Sequence, residues 1–532
     1  MDKINSDKPN ISLSLANPNP LRTDAIQKFG LILGLLGLLI LFLAWAGIAF
    51  PNNAIALYSS LALISIGTVI YSRRAYLSLP EGIKNNGVWF KSMSSRGVLG
   101  WATGILLTGF YIVLYWYAEY LGQGVNGAAN TGLVALFDPL SMLLKGQPAS
   151  QWFVYGTLYT VAILALGYKY ILKYRHNRYQ VVRTISVMFF QLGFAFLIPE
   201  FIARLNSDLP YNDFKNMWPL NYYNFDGYRI KSFLNGGNLG LFMLLFGIAM
   251  IFIISPVLTY FYGKRWYCSW VCGCGGLAET AGDSYRHLSS KKVSAWKLER
   301  WSIHLVMIIS VLMTLGVINT YLTNNPDSSI FTRSQFTWGL AIFLSLLIAL
   351  VFVFKRGKLN RGTQYIVLSM AIVSIGAIVL NAFSTSNQVL FIDSHIWREQ
   401  YGFLIGAAFS GVIGVGFYPL LGNRVWCRFG CPMAAILGLQ QKLFSKFRIT
   451  TNGGQCISCG NCSTYCEMGI DVRAYAQKGQ NIVRASCVGC GVCSAVCPRG
   501  VLKLENDGPG ERVQENPSLL GSADGLVNQL KK

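Results

Sequence analysis

The chain has 532 residues, of which 53% are hydrophobic and 13% are charged, whereas an ordinary soluble protein carries roughly a quarter charged residues. This composition excludes a typical soluble domain and indicates a protein of the lipid bilayer. The formal charge of +22 does not indicate a nucleic-acid partner, because Lys and Arg lie in short clusters between apolar runs. They form no long basic tract interleaved with aromatic residues.

Ten apolar stretches are long enough to cross about 30 Å of hydrocarbon, which takes roughly 20 helical residues. They cover residues 29–50, 54–71, 98–121, 152–172, 181–203, 238–262, 302–322, 336–354, 365–383 and 401–421. The sequence therefore predicts an all-α polytopic membrane protein with about ten transmembrane helices. Residues 1–28 are polar and the first apolar run is too long for a signal peptide, so we expect an uncleaved cytoplasmic segment there.

The distribution of basic residues predicts the orientation, because short loops rich in Lys and Arg stay in the cytoplasm. Counted from a cytoplasmic N-terminus, the five outer segments carry 0, 1, 4, 1 and 1 Lys or Arg residues. The inner segments together carry more than three times as many. We expect a bacterial inner-membrane protein with both termini and all 13 Cys on the cytoplasmic side. Disulfides are not expected, because that compartment is reducing.

Eight Cys lie within 42 residues near the C-terminal end, in CISCGNCSTYC and CVGCGVCSAVCP. The repeated C-x2-C-x2-C-x3-C spacing is typical of ferredoxins with two [4Fe–4S] clusters, in which the fourth Cys of each run binds the cluster of the other run. The predicted ligands are Cys456, Cys459, Cys462 and Cys497 for one cluster and Cys487, Cys490, Cys493 and Cys466 for the other. Paired C-x2-C also binds zinc, but the third Cys and the closing C-x3-C-P favour clusters.

Three other residues of these two runs are informative. Gly460 and Gly491 each follow the second Cys, where a backbone without a side chain lets the loop close around the metal. Glu467 stands where the first run would usually have Pro. We expect Glu467 to change that turn or the cluster potential and to leave the ligands intact.

A second set of Cys follows the sixth and tenth apolar stretches, in GKRWYCSWVCGC and GNRVWCRFGCP. The two copies form an internal repeat, Gly-x-Arg-x-aromatic-Cys-x3-Cys, in which the Cys at i and i+4 are expected on one helix face. We predict that these boundary cysteines form a cytoplasmic-side metal or cluster site: Cys268, Cys272, Cys427 and Cys431. The alternative is that they are reduced thiols packed as small apolar residues. Cys274 has no counterpart in the second copy and is not assigned.

The Arg of each copy, Arg265 and Arg424, is expected to hold a lipid phosphate or a neighbouring anion. In chain order, the predicted regions are an N-terminal segment, a four-helix membrane region, a membrane region with the two repeats, a ferredoxin-like α+β module and a flexible tail. Their bounds are 1–28, 29–172, 173–440, 450–504 and 505–532.

The paired C-x3-C motifs followed by a two-cluster module resemble the NapH/NosR/CcoG-type family of membrane-bound polyferredoxins. The resemblance covers roughly residues 238–504. It implies electron transfer between quinones or cytoplasmic donors and respiratory or metal-handling partners. Three departures are visible: the first four spans have no counterpart, the outer loops are too short for a flavin domain, and Gly273 replaces the Pro of C-x3-C-P.

Haem is not expected, because only four His occur, near span ends or in loops, and no C-x-x-C-H is present. Two residues are candidates for accepting protons from a quinol. Glu200 lies near the outer end of the fifth span, and His395 lies with Asp393 and Arg398 in the last outer loop. The alternative for Glu200 is a simple ion pair with Arg204.

We therefore predict a membrane iron–sulfur electron-transfer protein, an oxidoreductase subunit that passes electrons between a membrane quinol or redox partner and cytoplasmic clusters. The inner basic surface suits an acidic ferredoxin or flavodoxin, or a respiratory complex, as partner. One alternative is a copper-reducing or copper-delivering assembly factor with the boundary cysteines as soft ligands. Another is a redox-sensing membrane regulator.

Overall fold

The computed structural model describes residues 23–77, 96–206, 209, 211–325, 332–355, 357, 361–383, 388–389 and 392–506. Most of residues 1–28 and all but the first two residues of the predicted tail therefore lie outside the described part of the chain.

Seven helices in the described part are long and apolar enough to cross a membrane. Large apolar side chains such as Phe252 and Leu346 stay 59% exposed on them, as expected where the surrounding solvent is hydrocarbon. These helices are Ala25–Trp45, Asn53–Leu77, Val98–Trp116, Arg178–Leu205, Gly237–Tyr262, Val293–Asn324 and Arg333–Phe354. The protein is thus a mostly helical membrane protein, with seven candidate spans in the described part of the chain.

The predicted number of about ten spans is not confirmed, and the three remaining stretches show why. Gln151–Lys173 is a helix of 23 residues, but it carries Lys169 and Lys173 and falls short in hydropathy. The stretch at 365–383 lies in the helix Arg361–Phe383, whose apolar part, Gln364–Leu380, is shorter. The stretch at 401–421 is interrupted. It begins at the last residue of the helix Ser394–Tyr401 and continues through a π-helical segment, Gly402–Ile413, to the short helix Tyr418–Leu421.

Shorter helices complete the membrane part. Gly132–Lys145, which the sequence did not predict, packs between the first span pair and the helix Gln151–Lys173. Gly227–Asn235 precedes the span Gly237–Tyr262. The two repeated motifs contain the helices Arg265–Cys268, Gly273–Thr280, Val425–Phe429 and Pro432–Phe444.

The ferredoxin module is closed by an antiparallel strand pair at its two ends, Arg448–Thr451 with Leu502–Glu505. Between the strands lie three short helices, Asn461–Thr464, Val472–Gln477 and Val492–Ala495. One buried apolar cluster contains all four boundary cysteines together with Cys462, Cys487 and Cys493 of the module. The module therefore packs directly on the membrane helices, and the two Cys sets share one core.

Candidate iron–sulfur and boundary cysteine sites

The first predicted ligand set of the ferredoxin module surrounds one small cavity. Cys456, Cys459, Cys462 and Cys497 all line it, together with Pro498. Burial raises the pKa of Cys462 to about 12, and Cys497, Cys459 and Cys456 contribute to this rise. The structure thus brings the fourth Cys of the second run to the first three of the first run, as the crossed ligand pattern requires.

The second predicted set is gathered in the same crossed way. Burial raises the pKa of Cys493, and Cys490, Cys487 and Cys466 add to the effect. Both sets suit an iron–sulfur cluster, because each consists of four converging thiols. Thiols with raised pKa values still lose their protons when a metal binds, since the metal replaces the proton on each sulfur.

Loop geometry explains why the two runs repeat their glycines. Gly460 and Gly491 have φ of +79° and +74°, a left-handed conformation that costs glycine little. Ser458 and Gly489, each two residues before one of these glycines, also have positive φ, at 57° and 64°. The two Cys loops therefore turn back at equivalent residues.

The structure also brings the four boundary cysteines together. All four are between 5% and 7% exposed. Burial raises the pKa of Cys431, and Cys427, Cys268 and Cys272 each contribute. The two copies of the repeat, about 160 residues apart in the chain, thus meet at one site.

The prediction that each Cys pair lies on one helix face is wrong. The helix Arg265–Cys268 ends at the first Cys, and Cys272 is the N-cap of the next helix. In the second copy, Val425–Phe429 is followed by Cys431 as the N-cap of Pro432–Phe444. In the second copy Gly430 and Pro432 favour this break, because Pro is well suited to a first helical position. The first copy makes the same break with Val271 and Gly273 at the equivalent positions.

The two turns are nevertheless alike in detail. The N–H of Cys272 donates to the carbonyl of Tyr267 at 2.8 Å, and the N–H of Cys431 donates to that of Trp426 at 3.0 Å. The repeated glycines before them, Gly263 and Gly422, have φ of +66° and +98°. The repeat is therefore structural, and each copy presents its second Cys at a helix N-terminus, where a thiolate is favoured.

Cys274, which the sequence left unassigned, lies beside Cys272. A hydrogen bond between the two thiols lowers the pKa of Cys272 to about 6, with help from the backbone N–H of Gly275 and the charge of Lys215. The site thus contains a fifth thiol next to the four predicted ones.

A network of buried charges joins the boundary cysteines to the module. The guanidinium of Arg424 lies 2.5 Å from Glu279 Oε1 and 3.0 Å from Glu467 Oε1. The same group donates to Cys427 Sγ at 3.6 Å and to the carbonyl of Cys268 at 3.2 Å. Arg424 therefore holds carboxylates and not lipid phosphate, so that of the two predicted partners the neighbouring anion is the correct one.

Glu467 is the module's side of this network. Its second carboxylate oxygen lies 2.7 Å from Arg286 Nη1 and accepts from Asn423 at 3.2 Å. Burial opposes the charged carboxylate, but Arg286 and Arg424 outweigh burial and hold the pKa of Glu467 at about 2. The residue that departs from the usual Pro is thus the anchor of the module on the membrane part.

Oxygens of Glu279 and Glu467 and the sulfur of Cys490 all lie within 4.8 Å of one another. This is not a separate cation site, because both carboxylates are already paired with guanidinium groups: Arg183 with Glu279, Arg286 with Glu467, and Arg424 with both. The grouping places a predicted ligand of the second cluster next to the charges that contact Cys427.

Arg265 of the first copy has other partners. It donates to the side-chain oxygen of Asn506 at 2.8 Å and its guanidinium lies over the rings of Phe447 and Tyr179, 4.5 and 5.7 Å from their centroids. It therefore faces the ferredoxin module, and its contact with a lipid phosphate or a neighbouring anion stays a prediction.

The segment 211–226, predicted as part of an outer loop, folds into the bundle and reaches the boundary cysteines. Lys215 is 7% exposed and its Nζ donates to Gln191 at 2.6 Å, in the middle of a span. The hydroxyl of Tyr267, next to Cys268, donates to the carbonyl of Lys215 at 2.8 Å. Irregular backbone at this depth is tolerated only where it is buried in protein.

One feature of the sequence sets this re-entrant segment apart, namely the number of Lys and Arg in the predicted outer loop that contains it. The loop holds four, whereas every other outer segment holds at most one. Arg229 of the same loop is 3% exposed and donates to the carbonyl of Tyr211 at 2.9 Å. At least two of the four are therefore internal.

Of the two quinol candidates predicted on the outer side, Glu200 lies far from the ferredoxin module. Glu200 is 5% exposed and stands about 30 Å along its helix from Tyr179, which contacts the module, at 1.5 Å per residue. Arg204 donates to the carbonyl of Leu143, and no ion pair with Glu200 is among those of the described residues. His395 is exposed at the start of its helix, where its backbone N–H is capped by Asp393.

Three segments of the chain match known protein families. Residues 448–498 match a family described as a 4Fe-4S dicluster domain, and residues 244–295 and 404–450 each match one described as a 4Fe-4S binding domain. Each of these last two matches contains one copy of the boundary motif.

A relative is found in Escherichia coli (strain K12), under the name "Putative electron transport protein YccM". It is 23% identical over 224 residues, which is 42% of this chain and 47% of that protein. The chain thus spans about half the length of the curated relative that it matches. No solved structure matches the chain.

Proposed function

We propose that this protein is an electron-transfer subunit that passes electrons between a membrane quinol and two [4Fe–4S] clusters of the ferredoxin module, by way of a site on the boundary cysteines. An iron–sulfur cluster gives up or takes up one electron at a potential set by its surroundings. What the chain contributes is the spacing of these sites, their burial and the charges around them.

The observation that carries the proposal is the position of Arg424. One side chain touches Cys427 of the boundary site and the carboxylates of Glu279 and Glu467. Those carboxylates in turn lie within 4.8 Å of Cys490. One hydrogen bond to Cys427, the two ion pairs of Arg424 and the proximity of the carboxylates to Cys490 therefore connect the boundary site to a predicted ligand of the second cluster, through a buried interior.

The family matches favour a cluster over a single copper or zinc ion at the boundary thiols. Each copy of the boundary motif falls in a match to a 4Fe-4S binding domain, and four Cys thiolates are the usual ligands of a [4Fe–4S] cluster.

The proposed orientation places all these sites on the cytoplasmic side of a bacterial inner membrane. The support is the excess of Lys and Arg in the segments on that side of the spans. The boundary cysteines and the module share one apolar cluster, so they face the same compartment. A cytoplasmic ferredoxin or flavodoxin is then a suitable soluble partner.

Metal counts on anaerobically purified protein test the boundary site. The variant with Cys268, Cys272, Cys427 and Cys431 replaced by Ser is expected to lose about four iron atoms per chain, with the two ferredoxin clusters retained. Cys274→Ser tests separately whether the fifth thiol, which lies beside Cys272, belongs to the ligand set, and iron kept in this variant would assign the site to the four repeated Cys. Unchanged iron in the fourfold variant contradicts the cluster, and stoichiometric copper in the wild type favours a metal-handling role.

A further inference from the structure

A large cavity lies where the ferredoxin module meets the membrane helices. Its volume is about 900 Å³, within the range of about 300–1,000 Å³ typical of ligand sites. Phe190 and Leu258, from two candidate spans, form its membrane end. Trp266 and Trp270 of the first boundary motif form a wall. The cavity is therefore accessible from the hydrocarbon region and lined by aromatic rings.

The opposite end of this interfacial pocket is polar and belongs to the module. Lys503 and Glu505 of the last strand line it, together with Arg265. The Oε2 atom of Glu505 is buried and has no hydrogen-bond partner among the described residues. The pocket thus grades from aliphatic and aromatic surface to a cation and an unpartnered carboxylate.

Both redox sites border the pocket. Trp270 and Val271, which line it, lie between Cys268 and Cys272 in the chain, and Gly491 directly follows Cys490. The wall is rigidly connected: Trp270 Nε1 donates to the hydroxyl of Tyr179 at 3.1 Å, which donates to the carbonyl of Gly489 at 2.9 Å. A molecule in the pocket would therefore touch the backbone of both cysteine sites.

We propose that the interfacial pocket binds the head group of a quinone or quinol, with the ring at the polar end and the isoprenoid tail leaving past Phe190 and Leu258. The polarity gradient matches such a molecule: a flat ring with two oxygens for the cation and carboxylate, and a hydrocarbon tail for the bilayer. A phospholipid head group would satisfy Arg265 and Lys503 but leave Glu505 facing a like charge. This inference rests on the proposed function and gives it a location, on the side opposite Glu200 and His395.

The chemistry balances with groups already named. Oxidation of one quinol breaks two O–H bonds and releases two electrons and two protons. The eight ferredoxin cysteines would hold two oxidised [4Fe–4S] clusters, and the two electrons would pass one to each. The Glu505 carboxylate accepts one proton, and water takes the other.

A pocket-filling variant and a photoactivatable quinone test the proposal in the full-length protein in lipid nanodiscs. Leu258→Trp fills the membrane end of the pocket, whereas Val257→Trp places the same ring on the neighbouring residue, which is 50% exposed. We expect a short-tail azidoquinone to label peptides that contain residues 186–190 or 266–271. Leu258→Trp should reduce this labelling at least tenfold and Val257→Trp should not.

Cluster reduction by decylubiquinol or a menaquinol analogue, followed anaerobically, gives the second readout. Leu258→Trp is expected to slow it at least tenfold, while reduction by dithionite and the iron content stay at wild-type values. Labelling elsewhere, labelling by a photoactivatable phospholipid alone, or wild-type quinol reduction in Leu258→Trp overturns the pocket and leaves the proposed function intact. Labelling of the pocket without any quinol reduction in the wild type supports the pocket and contradicts the proposed function.

Discussion

Glu467 is where the attachment of the ferredoxin module can be tested most sharply. Glu467→Gln keeps the shape of the side chain but removes the charge that faces Arg286 and Arg424. The carboxylate is buried, at 1% exposure, so water cannot replace it. The two guanidinium groups would be left undercompensated in the interior, although Asp283 and Glu279 remain beside them.

The expected cost is about 3 kcal/mol. Removing one partner of a buried ion pair typically costs about 3–5 kcal/mol. The pKa of Glu467 is held at about 2, below its ordinary 4.5, so the guanidinium contacts outweigh burial of the carboxylate. The low end of the range applies because Glu279 and Asp283 stay paired with the two guanidinium groups. The loss should appear in the local opening of the module, because Glu467 joins the module to the membrane part and other contacts hold the membrane part together.

Hydrogen exchange of residues 450–504 in the detergent-solubilised protein measures this opening. An opening free energy lower by about 3 kcal/mol corresponds to exchange about a hundredfold faster. Lys478→Gln, which removes an exposed charge from the same module, is the control and should exchange like the wild type. Equal protection in Glu467→Gln and Lys478→Gln would refute the role of this network in docking the module.

Two other substitutions probe the two cysteine sites, and the iron-content and pocket variants above complete the set. Gly491→Ala is expected to lose the second cluster, because the residue has a φ of +74° and the added Cβ would lie 2.8 Å from a ring carbon of Tyr179. Gly460→Ala is the control: its added Cβ meets nothing within 4 Å, so it carries only a backbone cost of about 1–2 kcal/mol. Equal iron loss in the two variants would contradict the steric argument. Lys215→Met removes a buried cation beside the boundary cysteines and should lower the midpoint potential there by tens of millivolts, since 59 mV corresponds to about 1.4 kcal/mol for one electron. Lys231→Met, on an exposed residue of the same loop, should leave the potential unchanged in a redox titration.

The cysteine spacing was highly informative, because a ligand run records its geometry in consecutive residues. The structure gathers the two ferredoxin sets as the crossed pattern predicts, and it gathers the repeated boundary pairs. The assignment of each thiol to a cofactor stays a prediction. The expectation of one continuous helix for the boundary pairs is wrong because a spacing of four residues does not exclude a turn, and in the second copy Gly430 and Pro432 end one helix and begin another.

Other parts of the site could not be read from local sequence. The sequence shows only that Glu467 stands where such a Cys run usually has Pro. Its ion pairs cannot be predicted from the run, because Arg286 and Arg424 are distant in the chain. Lys215 looked like an ordinary loop residue, because hydropathy does not show whether a polar segment returns into the bundle. The interfacial pocket is formed by two spans, a boundary motif and the module, and no single stretch of sequence contains it.

The boundary site is tested most directly by an anaerobic titration of the purified protein with a quinol, followed by EPR and related to the iron content. We predict about twelve iron atoms per chain, four for each of three clusters, and reduced-cluster signals that appear on adding quinol. This reduction should be lost when the four boundary cysteines are replaced by Ser and the eight ferredoxin cysteines are kept. About eight iron atoms in the wild type, with quinol reduction unaffected by that replacement, would contradict the boundary site as the connection between the membrane and the module.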